Sequence, residues 1–423
     1  QAEDGIRDCL LSRGLGDVYK RQDMSHIVIV GAGQAAGQAA ASLRQGGFEG
    51  GITVVGDEAH APYQRPPLSK QYLAGELDVE NVLLRPESFY EGKDIDLKTG
   101  VRVTAIDRGA KAVNMDNGET LSYDQLLLAT GDRPRELTIP GSDLAGIHYL
   151  RSIADVDAIR GEMNTAKDMV IVGGGYIGLE VASVAIKAGI NVTVVEMEDR
   201  ILKRVTTPTM SEFYHNLHIE HGVKIELNTS IDGFSGDTKV SSVNCGDTTF
   251  DTDLVIVGIG ILPNAELAEA AGLEVDNGII VDDHCRTSDP NIYAAGACTN
   301  HPNPTLNRRL RLESVPNAME QSRIAVTNMT GGDKVYDAVP WFWSDQYELK
   351  LQMVGFSTDG DTEVLRGDKS ANEFAVFYMK GDTLLAADAI NSPREFMVCK
   401  QLYGKQVDPA KLADPGVDLK DLR

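Results

Sequence analysis

The chain has 423 residues, a hydrophobic content of 42% and a formal net charge of −23 at pH 7. This length and composition suffice for two or three soluble domains with buried cores, and no apolar run approaches the length of a membrane span. The strong acidity argues against nucleic acids and anionic membrane surfaces as partners.

The amino-terminal residues 1–23 differ in origin from the rest of the chain. Residues 1–8 and 12–22 reverse-translate into DNA adapters that are used to build sequencing libraries. We therefore predict that this extension is disordered and that the native protein starts at Met24. A buried strand follows almost at once and leaves no room for a leader peptide, so we expect a cytoplasmic protein.

The first predicted unit opens with a strand, a glycine turn and a helix. A β-branched run leads into GAGQAAG, in which Gly31 and Gly33 are followed by Ala36 in place of a third glycine. Glycines in such a turn let backbone amides approach a pyrophosphate, whose charge lies on the N-terminus of the next helix. The second strand ends on Asp57, a carboxylate placed to hold the ribose of an adenine dinucleotide.

A rigid loop and a further strand follow. The segment PYQRPPLSK, residues 62–70, cannot be regular strand, because its adjacent prolines restrict the backbone. Residues 126–131, LLLATG, are predicted to form another buried strand that ends on a glycine. Prolines and a glycine at 134–141 then indicate an exit from the first unit.

The second unit repeats the pattern with a complete fingerprint. A short strand precedes GGGYIG, which contains Gly173, Gly175 and Gly178, and the next strand ends on Glu196. A carboxylate at that place accepts hydrogen bonds from the ribose 2′-hydroxyl of NADH, and we expect Asp57 to occupy the matching place in the first unit. A 2′-phosphate would be repelled by Glu196 and its acidic neighbours, near which Arg200 is the only cation. The sequence favours NADH, and a solvated charge at the strand end is the alternative.

Two later strands complete the architecture. Residues 254–258 repeat the strand-to-glycine pattern, and residues 291–296 form a further strand aimed at a ligand. We predict an α/β fold with two doubly wound dinucleotide-binding domains, the second inserted in the first, and a C-terminal α+β domain with an antiparallel sheet. The predicted domains are 24–148 with 255–333 for the first, 149–254 for the second and 334–423 for the C-terminal one.

The cysteines and histidines do not indicate a metal or disulfide site. Beyond residue 23 the cysteines are scattered singly, without the C-x-x-C or C-x4-C pair that disulfide reductases need. His215, His218 and His221 recur every three residues, but on a helix they spread around too wide an arc for one compact site. We expect no metal cofactor.

Several motifs together resemble the FAD-dependent ferredoxin and rubredoxin reductases, which serve cytochrome P450 and ring-hydroxylating dioxygenase systems. These motifs are GAGQAAGQAA (31–40), PYQRPPLSK (62–70), LATG (128–131), GGGYIGLE (173–180), RLESVPNAMEQ (311–321) and WFWSDQY (341–347). The resemblance spans nearly all of residues 24–423. It implies a glutathione-reductase-like fold with non-covalent FAD in the first domain and NADH in the second.

The resemblance also implies roles for particular residues. Lys70 looks like the cation beside the flavin N5, close to Glu180. Glu180 and Glu313 would hold the nicotinamide carboxamide, and Trp343 would lie near the isoalloxazine at the edge facing the electron acceptor. Without the resemblance, Trp343 is a core aromatic of a sheet and Lys70 a solvated cation. The implied cofactor contacts are Gly31, Ala32, Gly33, Ala36, Asp57, Arg65, Lys70, Val103, Ala129, Arg151, Ala297, Val315, Gly173, Gly175, Tyr176, Ile177, Gly178, Glu180, Glu196 and Gly260.

The implied cofactors couple two-electron to one-electron chemistry. NADH gives up a hydride, an iron–sulfur carrier accepts one electron at a time, and a flavin can do both. The sequence thus predicts an NADH-dependent reductase of a small [2Fe-2S] ferredoxin or rubredoxin that serves an oxygenase. A basic stretch, formed by Arg308, Arg309, Arg311 and Arg323, is a candidate dock for an acidic carrier, and a solvated face is the alternative.

Ala297 departs from the pattern of these reductases. After Ala294-Ala295-Gly296 the pattern has an aspartate that holds the ribityl hydroxyls of the flavin. A charge-assisted hydrogen bond contributes roughly 1.5 to 3 kcal/mol, so its loss predicts an FAD affinity lower by about ten- to a hundredfold. Asp and Ala codons differ by one base, which leaves a sequencing error as another explanation.

Two alternative functions stay open. One is an NADH oxidase or peroxidase of the same fold, which is disfavoured because no cysteine lies in the 63–70 loop, where family analogy places a peroxide-reducing thiol. The other is a weakly catalytic flavoprotein whose FAD site is compromised at Ala297.

Overall fold

The structure, a computed structural model, describes residues 25–422, so the predicted extension 1–23 lies outside the described residues. No helix within 25–422 combines the length and apolar character that crossing a bilayer requires. The α-helices of this range are Gln34–Gln45, Val79–Val82, Glu87–Gly92, Ile153–Met163, Tyr176–Lys187, Pro208–Glu220, Glu266–Ala270, Val315–Met329, Pro393–Leu402 and Pro409–Ala413. Short 3-10 helices are Pro66–Ser69, Ser357–Asp359 and Leu419–Leu422.

The first sheet is parallel and buried on both faces. Ile27 and Ile29 face a core that contains the helices Gln34–Gln45 and Val315–Met329. Val28 faces the opposite core, which includes a small antiparallel sheet. Burial on both faces is the reason that the central strand His26–Val30 contains a continuous β-branched run. Its strands lie in the order Ile292–Ala294, Gln125–Leu128, His26–Val30, Gly51–Val55 and Ile95–Lys98.

The second sheet is also parallel and is inserted between strands of the first. The chain leaves the first sheet after Gln125–Leu128 and returns to it at Ile292–Ala294. The second sheet reaches past the predicted limits 149–254, because the edge strand Ile147–His148 pairs with Leu254–Val257. Such an edge pairing depends on hydrogen bonds between residues that are far apart in sequence, so a local sequence pattern does not reveal it. The strands lie in the order Lys224–Glu226, Asn191–Val195, Asp168–Val172, Leu254–Val257 and Ile147–His148.

The C-terminal sheet is antiparallel and packs on both sides. One face forms a core with the helix Pro393–Leu402. The other face, which includes Leu351 and Met353, packs against the second unit and the loop that precedes Lys70. This sheet therefore covers the junction between the two parallel units. Its strands lie in the order Trp341–Gln346, Leu349–Gly355, Thr383–Ile390, Glu373–Lys380 and Thr362–Asp368.

The remaining strands form small sheets around this framework. They are Val103–Asp107 with Ala112–Met115 and Thr120–Ser122; Gly233–Gly236 with Val240–Cys245 and Thr248–Asp251; Asp132–Pro134 with Ile261–Pro263; and Ile279–Ile280 with Thr299–Asn303 and Arg308–Leu310. The predicted fold class, with two doubly wound units and a C-terminal antiparallel sheet, is confirmed.

Candidate active site

The two glycine turns have nearly the same geometry. Gly31 has φ +110° and Gly173 has φ +104°. A Cβ built on Gly31 would lie 2.1 Å from the carbonyl oxygen of Ala129, and one built on Gly173 would lie 2.4 Å from that of Gly258. Only glycine accommodates both the backbone conformation and this close approach to the neighbouring strand end.

Each turn leads into a helix whose N-terminus has open space in front of it. Gly33 and Gly175 are the N-caps of the helices Gln34–Gln45 and Tyr176–Lys187, and no side chain caps either helix. A Cβ built on Gly33 or Gly175 would meet nothing within 4 Å. First-turn amides without a capping side chain favour an anionic ligand, since the helix dipole adds to their attraction. Both turns therefore fit the pyrophosphate of a dinucleotide.

The third fingerprint position differs between the units. A Cβ built on Gly178 would lie 2.5 Å from the carbonyl oxygen of Gly173, so the second turn requires glycine there. Ala36 takes the corresponding place in the first unit, where its methyl group is fully buried. The first unit thus accepts alanine because its helix leaves room for one methyl group.

Glu196 follows the strand Asn191–Val195, beside the second turn. Its Oε2 accepts a hydrogen bond from the amide of Gly174 at 2.7 Å, and its Oε1 accepts one from the amide of Glu198 at 2.9 Å. Each carboxylate oxygen keeps a further lone pair, which suits a ribose hydroxyl. Glu196 is therefore held in place and can still accept hydrogen bonds from a ligand.

Arg200, the cation nearest to Glu196 in the sequence, is already engaged. Its guanidinium donates to the carbonyl oxygens of Thr206 at 3.0 Å and Lys203 at 3.2 Å, and to the hydroxyl of Ser211. Binding a 2′-phosphate would require breaking these bonds beside the carboxylate of Glu196. Lys203 is a second cation here, which corrects the expectation that Arg200 is the only one; its Nζ lies 2.8 Å from Glu198 Oε2 and 3.2 Å from Asp199 Oδ1. Since both cations already have partners within the chain, the arrangement supports a preference for NADH over NADPH.

Replacing Glu196 with serine is expected to raise the KM for NADH about tenfold, because a hydrogen bond to a charged acceptor is lost. Preference for NADH over NADPH should fall at the same time, since the carboxylate no longer repels a 2′-phosphate. Steady-state kinetics with both nucleotides measures the change. The control is Glu220→Gln, which removes an exposed carboxylate at the end of the helix Pro208–Glu220 of the same unit and should leave both KM values unchanged. An unchanged ratio of kcat/KM values for the two nucleotides in the serine variant would contradict the assignment.

Asp57 lies one residue beyond the place that corresponds to Glu196. The strand registers make Gly56 the counterpart of Glu196. A Cβ built on Gly56 would lie 2.3 Å from the Cβ of Ala32, so no side chain fits there. Asp57 is exposed, and its Oδ2 lies 2.8 Å from Arg102 Nη2. The expectation of matching positions is corrected by one residue, and ribose binding by Asp57 stays a prediction.

A buried ion pair joins the loop of the first unit to the second unit. Lys70 Nζ lies 2.7 Å from Glu180 Oε2, and the two side chains are 13% and 4% exposed. Lys70 follows the 3-10 helix Pro66–Ser69, which the adjacent prolines start, and Glu180 lies in the helix Tyr176–Lys187. The structure thus brings together the two residues that the resemblance places beside the flavin and the nicotinamide.

Both members of this pair have further partners. Lys70 Nζ also donates to the carbonyl oxygen of Pro66 at 3.1 Å. Glu180 accepts the hydroxyl of Ser69 on Oε2 at 2.5 Å and the hydroxyl of Ser344 on Oε1 at 2.6 Å. Ser344 belongs to the C-terminal sheet, so three parts of the chain meet at Glu180. Sequence reasoning named Glu180 and missed Ser344, which is part of the WFWSDQY motif.

A second charged cluster surrounds two predicted contacts, Arg65 and Arg151. Arg65 pairs with Glu58 at 2.6 Å and donates to the carbonyl oxygen of Arg151 at 2.8 Å. Arg151 pairs with the buried Asp132 at 2.5 Å. Desolvation lowers the pKa of Arg151, which the negative charge of Asp132 partly offsets. Sequence reasoning missed Glu58 and Asp132, although Asp132 directly follows the LATG motif.

Glu313 approaches the same cluster. Its Oε1 lies 2.7 Å from Arg311 Nη1. Although 44% of its side chain is exposed, desolvation raises its pKa, and the charge of Arg311 opposes this change. Contact with a nicotinamide carboxamide stays a prediction for this residue.

Three predicted contacts lie at the edge of the first sheet next to its glycine turn. Ala129 and Ala297 follow the strands Gln125–Leu128 and Ile292–Ala294, and parallel strands end at one edge of a sheet. Val315 is the first residue of the long helix Val315–Met329. Val103 lies apart from them, buried in the opposite core of this unit.

The predicted contacts of the second turn have different environments. The hydroxyl of Tyr176 donates to Met353 Sδ at 3.0 Å, so this side chain is turned toward the C-terminal sheet. Ile177 is 45% exposed. Gly260 has φ +106°, with open space where a side chain would be.

Trp343 and Ser344 point to opposite faces of the strand Trp341–Gln346, because side chains alternate along a strand. Ser344 contacts Glu180. The ring of Trp343 lies beside that of Trp341, with 5.7 Å between centroids. A position of Trp343 near the isoalloxazine stays a prediction.

The four arginines of the candidate dock are engaged within the chain. Arg308 pairs with Asp359 through both terminal nitrogens, at 2.8 and 2.9 Å. Arg309 donates to the carbonyl oxygens of Val281 and Asn300 and to the side chain of Asn300, Arg311 pairs with Glu313, and Arg323 pairs with Glu320. Three of the four charges are thus matched by carboxylates. The net positive charge of this surface is smaller than the sequence suggests.

His218 and the cysteines of residues 25–422 are buried inside the protein. His218 uses both ring nitrogens in hydrogen bonds to Gln346 and Tyr347, which leaves neither for a metal ion. Cys245, Cys285, Cys298 and Cys399 are buried and unpaired. Burial raises the pKa of each thiol, so these cysteines are unreactive.

Comparisons with known proteins agree with this site. Residues 25–322 match the family described as pyridine nucleotide-disulphide oxidoreductase, and residues 341–423 match the family described as reductase C-terminal. The chain belongs to the pyridine nucleotide-disulphide oxidoreductase family. Within residues 25–422 its cysteines are buried and unpaired.

Its relatives in this family include reductases of small electron carriers. The chain is 45% identical over 406 residues to putidaredoxin reductase CamA of Pseudomonas putida, and this alignment covers 94% of this chain and 96% of that protein. It is 44% identical over 399 residues to rhodocoxin reductase of Rhodococcus erythropolis, at 93% of each chain. The covalent putidaredoxin reductase–putidaredoxin complex aligns with a TM-score of 0.90 at 45% identity, over 94% of this chain and 98% of that chain. The predicted resemblance to ferredoxin and rubredoxin reductases is confirmed.

Proposed function

We propose that the protein is an NADH-dependent flavoprotein reductase that passes electrons from NADH through FAD to a small [2Fe-2S] ferredoxin or a rubredoxin, which in turn serves an oxygenase. The observation that carries this proposal is the buried Lys70–Glu180 pair, which joins a loop of the first dinucleotide-binding unit to the helix that follows the glycine turn of the second. Its relatives are named as reductases of such carriers.

The residues of the site divide the work in this reaction. FAD, when bound in the first unit, supplies the conversion between a two-electron donor and a one-electron acceptor. Lys70 contributes a positive charge that the loop and Glu180 hold in a fixed position. Glu180 and the second turn orient NADH, and the burial of the ion pair keeps water from this region.

The cysteines of the chain and the proteins similar to it both bear on the identity of the electron acceptor. The cysteines of residues 25–422 are single and buried, so the described chain has no internal thiol to receive the electrons. A similar solved structure is the covalent complex of putidaredoxin reductase with putidaredoxin. An external one-electron carrier is therefore the acceptor that fits this site. Docking through Arg308, Arg309, Arg311 and Arg323 is part of the proposal, with Asp359, Glu313 and Glu320 limiting its electrostatic strength.

This function is tested by reducing the enzyme with NADH under anaerobic conditions and then adding one electron acceptor at a time. Purified protein reconstituted with FAD should be yellow, should be bleached by NADH faster than by NADPH, and should reduce a ferredoxin or rubredoxin. Oxygen and hydrogen peroxide should be poor acceptors. Faster turnover with oxygen or peroxide than with each carrier would favour the oxidase or peroxidase alternative, and a protein that FAD cannot reconstitute would refute both.

We also propose that residues 24–146 and 258–333 bind FAD and that residues 147–257 bind NADH; the predicted limits 148/149 and 254/255 are moved because the strands Ile147–His148 and Leu254–Val257 belong to the second sheet. We propose further that the protein is located in the cytoplasm. Unpaired cysteines are the usual state in that reducing compartment.

A further inference from the structure

A chain of hydrogen bonds runs from Glu180 into the contact between the second unit and the C-terminal sheet. Gln346 Nε2 donates to Ser344 Oγ at 3.2 Å, and Ser344 Oγ donates to Glu180 Oε1 at 2.6 Å. His218 Nε2 lies 2.8 Å from Gln346 Oε1, and the hydroxyl of Tyr347 lies 2.9 Å from His218 Nδ1. Except for the partly exposed Tyr347, all these side chains are buried.

The direction of this chain follows from the chemistry of its two ends. Ser344 has a single hydroxyl hydrogen, and the carboxylate of Glu180 takes it, so Ser344 must accept a hydrogen bond from the amide nitrogen of Gln346. The amide oxygen of Gln346 then faces His218, whose Nε2 must carry a hydrogen. In the neutral ring Nδ1 is an acceptor, and Tyr347 donates to it. Every hydrogen bond therefore points toward Glu180.

The environment of His218 keeps its ring neutral. Burial lowers the pKa of His218 to about 4, and the neighbouring His221 and His215 act in the same direction. The ring of His221 stacks on that of Tyr347, with centroids 3.7 Å apart, and covers this end of the chain. A neutral ring with one hydrogen gives a single hydrogen-bond order, whereas a protonated ring would donate at both ends.

We propose that His218 is a positioning residue for hydride transfer: by donating to Gln346 it orients the amide and the Ser344 hydroxyl toward Glu180 and thereby holds the Lys70–Glu180 pair in its reactive arrangement. This inference rests on the proposed function, in which that pair lies between FAD and NADH. His218 and Gln346 are far apart in sequence, since His218 lies in the helix Pro208–Glu220 and Gln346 in the strand Trp341–Gln346.

Two variants interrupt the chain with little change in volume, and one preserves it. His218→Phe keeps an aromatic ring against Tyr347 but removes both hydrogen-bonding atoms. Gln346→Glu replaces the donor to Ser344 with an acceptor. His218→Gln retains one donor and one acceptor in the same order and serves as the conservative variant. His215→Phe, the same substitution one turn earlier on the helix, is the control.

Anaerobic stopped-flow reduction of the FAD-loaded enzyme by NADH separates the dissociation constant of NADH from the limiting rate of reduction. In His218→Phe and Gln346→Glu we expect the limiting rate to fall roughly two- to tenfold, the equivalent of one neutral hydrogen bond, with little change in the dissociation constant. His218→Gln should recover most of the rate, and His215→Phe should match the parent protein. The visible absorption bands of bound FAD should shift in the two interrupting variants only.

Nuclear magnetic resonance of protein labelled with 15N-histidine gives a readout that needs no turnover. His218 should be neutral and carry its hydrogen on Nε2 from pH 5 to 8, with or without FAD. A hydrogen on Nδ1, a charged ring in that range, or an unchanged rate and spectrum in a folded His218→Phe protein would overturn the proposal. So would equal losses in His218→Phe and His218→Gln, which would indicate packing alone. If FAD does not bind at all, the proposed function fails, while the tautomer still tests the hydrogen-bond chain.

Discussion

Replacing Glu180 with leucine is expected to lower the free energy of unfolding by about 3–5 kcal/mol, because it leaves the ammonium group of Lys70 buried without its partner. The hydroxyls of Ser69 and Ser344 lose their acceptor in the same step. Chemical denaturation followed by circular dichroism measures the loss. Reduction by NADH should also become slow, since Lys70 is no longer held in place.

The double variant Lys70→Met, Glu180→Leu separates the pair from its surroundings. An apolar pair of similar volume avoids the cost of a lone buried charge, so the double variant should be more stable than Glu180→Leu alone. The matched control is Glu348→Leu, which breaks an exposed ion pair with Lys187, the last residue of the helix that carries Glu180. The Lys187 Nζ to Glu348 Oε1 distance is 2.8 Å, and the two side chains are 54% and 87% exposed. That control should have little effect, because solvent screens exposed pairs. Equal losses in Glu180→Leu and Glu348→Leu would contradict the assignment of a buried, structurally important pair.

Replacing Ala297 with aspartate is expected to lower the dissociation constant of FAD by about ten- to a hundredfold, the effect of one added charge-assisted hydrogen bond. Ala297 follows the strand Ile292–Ala294, at the sheet edge that carries the glycine turn of the first unit. The amide of the preceding Gly296 is held by Gln321 Oε1 at 2.8 Å, so the backbone at this point has a defined direction. The side chain of Ala297 is only partly buried, which leaves room for a carboxylate.

Titration of the apoprotein with FAD, followed by flavin fluorescence, measures this change. Ala297→Asn is the matched control, since it adds similar volume without charge and should give a smaller gain. If the aspartate variant binds FAD no more tightly than the alanine protein, then the contact implied by resemblance does not form in this chain, and the concern about a compromised FAD site is wrong.

The nucleotide-binding architecture could be predicted from the sequence because its requirements are local. A turn with φ near +105° and no room for a Cβ demands glycine at Gly31 and Gly173, and buried parallel strands demand β-branched runs before them. The choice of NADH also followed from one carboxylate, Glu196, at the end of a strand. The inserted topology was predictable for the same reason, since each strand-to-glycine pattern marks one strand of a doubly wound sheet.

Other features depended on contacts between distant segments. The register of the first unit makes Gly56 the counterpart of Glu196, and Ala32 leaves no room for a side chain there, so Asp57 lies one residue beyond the position that Glu196 takes in the second unit. In the basic stretch, the partners of Arg311 and Arg323 are near in sequence, but Arg308 meets Asp359 only in the folded protein. Charge counted along a sequence omits such pairing, because the partners lie on different elements.

The sequence by itself determined the two dinucleotide turns and the carboxylate of Glu196 beside the second one, since each depends on residues within one strand, turn and helix. It also determined the membership in a reductase family, through motifs spread along residues 31–347. Only the tertiary structure decided which further groups join Lys70 at Glu180. Ser344 donates to Glu180, and His218 reaches Ser344 through Gln346, where the C-terminal sheet packs against the second unit. No local pattern encodes such a meeting, because it is set by the packing of the C-terminal sheet against the second unit.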